Sequence, residues 1–213
     1  MSRDMRGGGM LGAQRVLALV VALMLSSAGA SAQHAHSTQH GMAKDTPSDV
    51  VNVAAHRYFS DVPLVDQEGR QQRLYSDLMR GKTVVMTSFF TSCTATCPLV
   101  MSTFAALQAE LGERLGRDVH LLLISVDPDT DTPARVKEYA ERFGARPGWY
   151  LLTGASADVA LALRKFGHPT APKEAHLGQV AVGNDRTGLW KKMRSLPAAG
   201  ELVVTVRSVL DDR

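Results

Sequence analysis

The two thiols of this 213-residue chain, Cys93 and Cys97, stand four positions apart in the stretch FFTSCTATCPLV, where a β-branched and aromatic run gives way to a helical pattern. Two sulfurs so placed can close a disulfide, exchange disulfides with a partner, or hold a soft metal ion. A purely structural bridge over so short a loop would restrain the unfolded chain little, so the spacing points to function. The run Thr83 to Phe90 predicts a buried strand, and Pro98 fits the first residue of a helix. Both sulfurs then lie at a strand-to-helix turn. Cys97 would meet the unpaired amides and positive dipole end of that helix, which favour a thiolate.

The elements that must position the pair follow from pattern and punctuation. Pro63 to Asp66 and Arg70 to Leu74 flank Gln67-Glu68-Gly69 and predict a short hairpin. Residues 98–115 carry Leu99, Phe104, Leu107, Leu111 and Leu115 at near-helical spacing, ended by Gly116. Val119 to Val126 predicts a second buried strand. The acidic loop Asp127-Pro128-Asp129-Thr130-Asp131-Thr132 then leads to Pro133, giving a cap and first residue for a helix through Phe143. Trp149 to Leu152 is a third strand and Ala157 to Phe166 a further helix. A loop bearing His168 and His176 follows, then strands at Gln179 to Val182 and Leu189 to Met193, and a last helix over Ala199 to Leu210. The alternation gives an α/β domain, a central mixed sheet flanked by helices. A cysteine pair at the first strand-to-helix turn makes that a thioredoxin-like fold.

The N-terminus speaks of compartment. Arg3, Arg6 and Arg15 precede the apolar run at residues 16–25, and small residues end at Ala30-Ser31-Ala32, which together predict a signal peptide over residues 1–32. Cleavage after Ala32 lowers the net charge from +3 to +1, so the basic balance belongs partly to targeting. The alternative is an uncleaved membrane anchor, although the strongly apolar part is nearer ten residues than twenty. Either way the main domain is expected outside the cytoplasm, in a bacterial periplasm. No basic stripe interleaved with aromatics is visible, which sets nucleic-acid binding aside. Residues 33–57 read as a flexible lead-in containing His34, His36 and His40, a composition that can bind copper or zinc weakly or simply be solvated. Residues 58–213 form the domain.

The ordered set CTATCP, SVDPDTDTP at 125–133, YAERFGARPGW before the third strand, and a His ahead of a strand ending in a Gly-containing turn resembles the Sco/SenC family of copper-handling proteins. The likeness runs from about Pro63 to the C-terminus. Thioredoxins carry two residues between their cysteines, against three here. The resemblance implies one copper per domain, held by Cys93, Cys97 and His176. Two soft thiolates suit Cu(I), an imidazole can complete a three-coordinate site, and Cu(II) is accessible through the nitrogen. Where the family places an acidic residue before its histidine ligand this chain has Ala175, with Glu174 one step away. His168 is the competing candidate. His56 and His120 read as structural or solvent-facing, Met79, Met86, Met101 and Met193 as core or surface apolar residues, and Asp127, Asp129 and Asp131 chiefly as loop-turning and capping residues, with partner docking or orientation of a ligand as the alternative.

The expected function is that of a periplasmic copper metallochaperone, a carrier more than a catalyst. The resemblance implies the copper centre of a respiratory oxidase as client, with a copper donor or a thiol reductant as further partners. The rival is a thiol-disulfide oxidoreductase that reduces partner cysteines before metal loading. The two part at His176, since disulfide exchange needs only the sulfurs. A peroxidase using one cysteine as nucleophile fits the downstream His less well.

Overall fold

Two seven-residue strands with every position buried make the middle of the sheet: β3, Thr83–Phe89, and β4, Val119–Ser125. Such strands must be covered on both faces, and the rest of the fold follows from that need. The computed structural model describes residues 52–168 and 178–213, all within one unit running from Met42 to the C-terminus. In chain order the elements are α1 (Val53–Phe59), β1 (Pro63–Val65), β2 (Gln71–Arg73), a π-helical turn (Leu74–Met79), β3, α2 (Thr96–Leu111), β4, α3 (Pro133–Arg142), β5 (Trp149–Leu152), α4 (Ser156–Lys165), β6 (Val180–Asn184), β7 (Trp190–Met193) and α5 (Ala199–Leu210).

The main sheet has the order β5-β4-β3-β6-β7. β3, β4 and β5 are parallel, whereas β6 runs antiparallel to both β3 and β7. β1 and β2 form a separate hairpin. Because side chains alternate along a strand, Val85, Phe89, Leu121 and Leu123 face a core built with α2, α3 and α5. Val84, Met86, Leu122 and Ile124 face a second core built with α1, the π-helical turn and α4. This is the expected thioredoxin-like α/β arrangement.

Three boundaries differ from the sequence pattern, each for a tertiary reason. Residues 53–57, expected in the lead-in, are helical. The Asn52 side chain accepts the Ala55 N–H and donates to the Asp185 carbonyl, while Phe59 buries against Phe166 and Trp190. α2 starts two residues before Pro98 and ends at Leu111, because Gly112 takes the left-handed conformation (φ +52°) and a short 3-10 turn carries the chain on. Leu99, expected on the apolar face, is exposed. Of the π-helical turn the sequence pattern assigns only Leu74, to the end of a strand; the turn buries Leu74, Tyr75, Leu78 and Met79 under the second core. At the start of β5, Gly148 stands where a Cβ would fall 2.3 Å from the Gly116 nitrogen, so no side chain fits.

Candidate functional site

Cys93 and Cys97 emerge where β3 ends and α2 begins, and the turn between is fixed from beneath by one buried carboxylate. Asp131, fully buried, accepts hydrogen bonds from the Thr91 N–H (3.1 Å), the Thr91 hydroxyl (2.5 Å) and the Ser125 hydroxyl (2.5 Å). Ser125 Oγ in turn accepts the Asp127 N–H at 3.0 Å. The acidic loop after β4 is thereby tied to the chain two residues before Cys93. Capping and loop turning, as expected from sequence, account for Thr132, which caps α3 through Arg135, and for Asp127, whose carbonyl accepts the Thr130 and Asp131 N–H groups, whereas Asp129 accepts from Ser156 at the start of α4. They do not describe Asp131, whose carboxylate locks the dithiol turn. Removing this side chain would leave three donors without their acceptor.

The two sulfurs are unequal, and in the opposite sense to the one the sequence predicts. α2 has no side-chain cap at Ala95; instead the Cys97 N–H donates to Cys93 Sγ at 3.3 Å. The sulfur of Cys93 thus occupies the position an Asp or Ser oxygen takes at an ordinary helix start. Burial of Cys93 works against its ionisation, but the Cys97 N–H and thiol, with the Ala95 and Thr96 amides, outweigh it and hold the Cys93 thiol below its ordinary value. Cys97 is wholly buried, among Val100, Phe89 and Phe90. Burial first, with Cys93 and Asp131 acting in the same direction, pushes its thiol up to about 12. The more acidic, helix-terminal thiol is therefore Cys93, and Cys97 is the less acidic partner beneath it. Sequence spacing places Cys97 on the helix, but only the bend of the turn reveals which sulfur receives the amides.

The remaining candidates separate clearly. His176 lies outside the described residues, as do the segment 1–32 and His34, His36 and His40 of the lead-in. The described ends of its loop are informative: β6 is antiparallel to β3, so its N-terminal end lies at the same end of the sheet as the turn carrying Cys93. Gln179, three residues after His176, accepts a hydrogen bond from the Thr87 hydroxyl at 2.7 Å. His168 is buried, its backbone N–H donating to Leu163, beside a cavity of about 440 Å³ lined by Phe166, Gln179, Lys192 and Met193. Among the described residues no group of three or more His, Cys, Asp or Glu side chains could hold a metal ion, so the structure does not bring His168 to the two sulfurs. His56 stacks on Tyr75 at 4.7 Å. His120 lies between the Leu78 and Gly116 carbonyls, and burial lowers its pKa and keeps it neutral. Met79, Met86 and Met101 are core residues and Met193 packs at the core edge.

One residue near the sulfurs, the first of the stretch YAERFGARPGW, carries no site role in the sequence pattern. Tyr139, in the middle of α3, stacks on Phe89 at 5.9 Å and belongs to the core cluster that contains Cys97. Its hydroxyl is buried without a hydrogen-bond partner among the described residues. In sequence it is one of several apolar-periodic positions of a helix, and nothing local separates it from a packing tyrosine.

A mixed sheet clothed by helices on both faces, with a paired-sulfur turn at the mouth of its first long helix, defines a thioredoxin-like protein with three residues between its cysteines. The comparisons carry this to a family. The chain belongs to the SCO1/SenC family, whose model matches residues 53–185. Among relatives, a Stutzerimonas stutzeri protein named for copper binding is 26% identical over 137 residues, 64% of this chain and 65% of that one. The Bacillus subtilis SCO1 protein homolog is 31% identical over 105 residues, 47% of this chain and 52% of that one. The chain thus matches less than two thirds of these relatives' own lengths. Of solved structures, yeast Sco1 with copper bound superposes with a TM-score of 0.59 at 21% identity, covering 71% of this chain and 90% of that one. Arabidopsis thaliana ScoI with copper bound gives 0.56 at 24% identity, covering 70% and 94%. At these identities the structural likeness is one of fold. Among the described residues no helix is long and apolar enough to cross a membrane.

Proposed function

We propose that this chain is a periplasmic copper carrier of the Sco/SenC type, exported by residues 1–32 and cleaved after Ala32, which takes one copper ion between Cys93, Cys97 and His176 and passes it to the copper centre of a respiratory oxidase. The observation that carries the reading is the unequal sulfur pair. Cys93, partly exposed and already favoured as a thiolate, can meet an incoming ion, and Cys97 gives up its proton as its sulfur closes on the metal. Two thiolates supply the soft donors Cu(I) prefers. The loop bearing His176 rejoins the sheet at the same end as the sulfurs, which supports an imidazole as third donor. Transfer proceeds by ligand exchange, and the partly exposed Cys93 is the sulfur a client's ligands can displace.

The same asymmetry favours one alternative, reduction of a partner disulfide. The Cys93 thiolate would attack a partner sulfur, releasing the other as a thiolate. Cys97 would then lose its proton and attack Cys93, closing an intramolecular disulfide and leaving the partner a dithiol, so two electrons pass to the partner. One experiment separates the two readings: copper affinity by chelator competition beside the dithiol reduction potential, for wild type, Cys93→Ser, Cys97→Ser, His176→Ala and His168→Ala. The carrier reading expects either Cys→Ser change to abolish tight Cu(I) binding, His176→Ala to weaken it sharply, and His168→Ala to do far less. Wild-type copper binding in His176→Ala with loss in His168→Ala would move the third ligand to His168; if neither substitution changes copper binding and disulfide exchange depends on both sulfurs, the reductase reading takes the lead.

A further inference from the structure

The buried hydroxyl of Tyr139 needs an explanation. Phenylalanine would fill the same slot, stacking on Phe89 and lying against Phe143 at 5.2 Å. The oxygen adds nothing to that packing and makes no hydrogen bond among the described residues. A buried hydroxyl without a partner is a net cost, and native interiors hold few of them. Its surroundings show what could accept from it. Cys97 is in the same core cluster, and Asp131 beneath the turn already accepts from Thr91 and Ser125. Burial first, then Cys97 and Cys93, act on the hydroxyl to keep it protonated, so it remains a donor with the sulfurs within electrostatic reach. Cys97, the deeper of the pair, is the sulfur that water does not reach.

We infer that the Tyr139 hydroxyl is a hydrogen-bond donor held in reserve for the sulfur of Cys97 in the metal-bound state, which makes Tyr139 a positioning residue for the two-sulfur site. In the free dithiol Cys97 is a neutral thiol and a poor acceptor. When its sulfur becomes an anionic ligand in an apolar pocket, the new charge needs a donor, and the Tyr139 hydroxyl, unpartnered in the same core cluster, is a group able to supply it. The hydroxyl's cost in the free protein is then recovered on binding. The inference rests on the copper-carrier reading for its biological ion, but not for its chemistry.

The test is Tyr139→Phe in the full chain, with Cu(I) and Cd(II) used separately as probes. The variant should unfold at the same temperature as wild type or higher when metal-free, because it loses only an unpartnered atom. Its affinity for either ion, by chelator competition, should fall about tenfold or more, as befits loss of a hydrogen bond to a charged acceptor. The sulfur-to-metal charge-transfer band should move to lower energy, since a donated hydrogen bond stabilises the sulfur electrons that are excited. If wild type binds Cd(II) through both sulfurs with this dependence but does not hold Cu(I) tightly, the carrier reading fails and the tyrosine inference stands. Unchanged affinity and band, a metal-free protein destabilised as much as its binding is weakened, or a dithiol that takes neither ion would overturn the inference.

Discussion

Alkylation of the two sulfurs should be strongly ordered, with Cys93 modified first. Cys97, pushed up to about 12, is a thiolate to only ~3 parts in 10⁵ at pH 7.5, whereas Cys93, held below 9.0, is a thiolate to at least ~3 parts in 100. Thiolate population alone favours Cys93 by about 10³ or more. Intrinsic nucleophilicity pulls the other way, since it rises with pKa by ~0.4–0.5 log units per unit, returning a factor of roughly 20 over three units. The net preference is therefore at least about 50-fold, and burial of Cys97 enlarges it. The assay is iodoacetamide in limiting amount on the reduced, metal-free protein, with the site located by peptide mass spectrometry and single-site rates taken from Cys93→Ser and Cys97→Ser. Comparable rates in the two variants, or Cys97 modified first in wild type, would refute the claim that Cys93 collects the helix amides.

Other consequences follow from the same contacts. Asp131→Ala leaves the Thr91 N–H and the Thr91 and Ser125 hydroxyls without their acceptor, so urea denaturation should show a loss of about 3–5 kcal/mol. Asp131→Asn, which keeps one acceptor oxygen, should lose about 1–2 kcal/mol, and equal losses for the two variants would contradict the role given to this carboxylate. Phe59→Ala opens the junction with Phe166 and Trp190 and should cost about 3–5 kcal/mol in the same urea denaturation. Burial holds the Asp185 carboxyl above its ordinary 3.8 despite donation from Gly81 and Tyr75, so the folded state keeps this proton longer than the unfolded chain does. Its contribution is full below pH 3.8 and is lost as pH rises through the folded value. The stability of Asp185→Asn relative to wild type should therefore increase over that window, and a difference independent of pH would show that the carboxyl does not titrate there.

The sequence by itself determined the strands and the place of the sulfurs. Thr83 to Phe89 and Val119 to Ser125 are runs dominated by β-branched, aliphatic and aromatic residues, as a strand buried on both faces requires, and Trp149–Leu152 and Ala199–Leu210 fall where pattern puts them. The motif CTATCP with SVDPDTDTP carried the family likeness without any geometry. What only the tertiary structure decided involves partners far apart along the chain. α1 is seven residues long, too short to hold itself together, and exists because Asn52 reaches Asp185 and Phe59 reaches Trp190. Asp131 reads as one more acid in a turning loop until Thr91, forty residues earlier, is seen to donate to it. Which cysteine is the more acidic was likewise beyond spacing, because acidity depends on which sulfur the bend turns toward the helix amides and which it buries in the core with Phe89. Residue types and intervals fix what chemistry is available; desolvation and the direction of hydrogen bonds, which arise only when distant segments pack, fix which atom performs it.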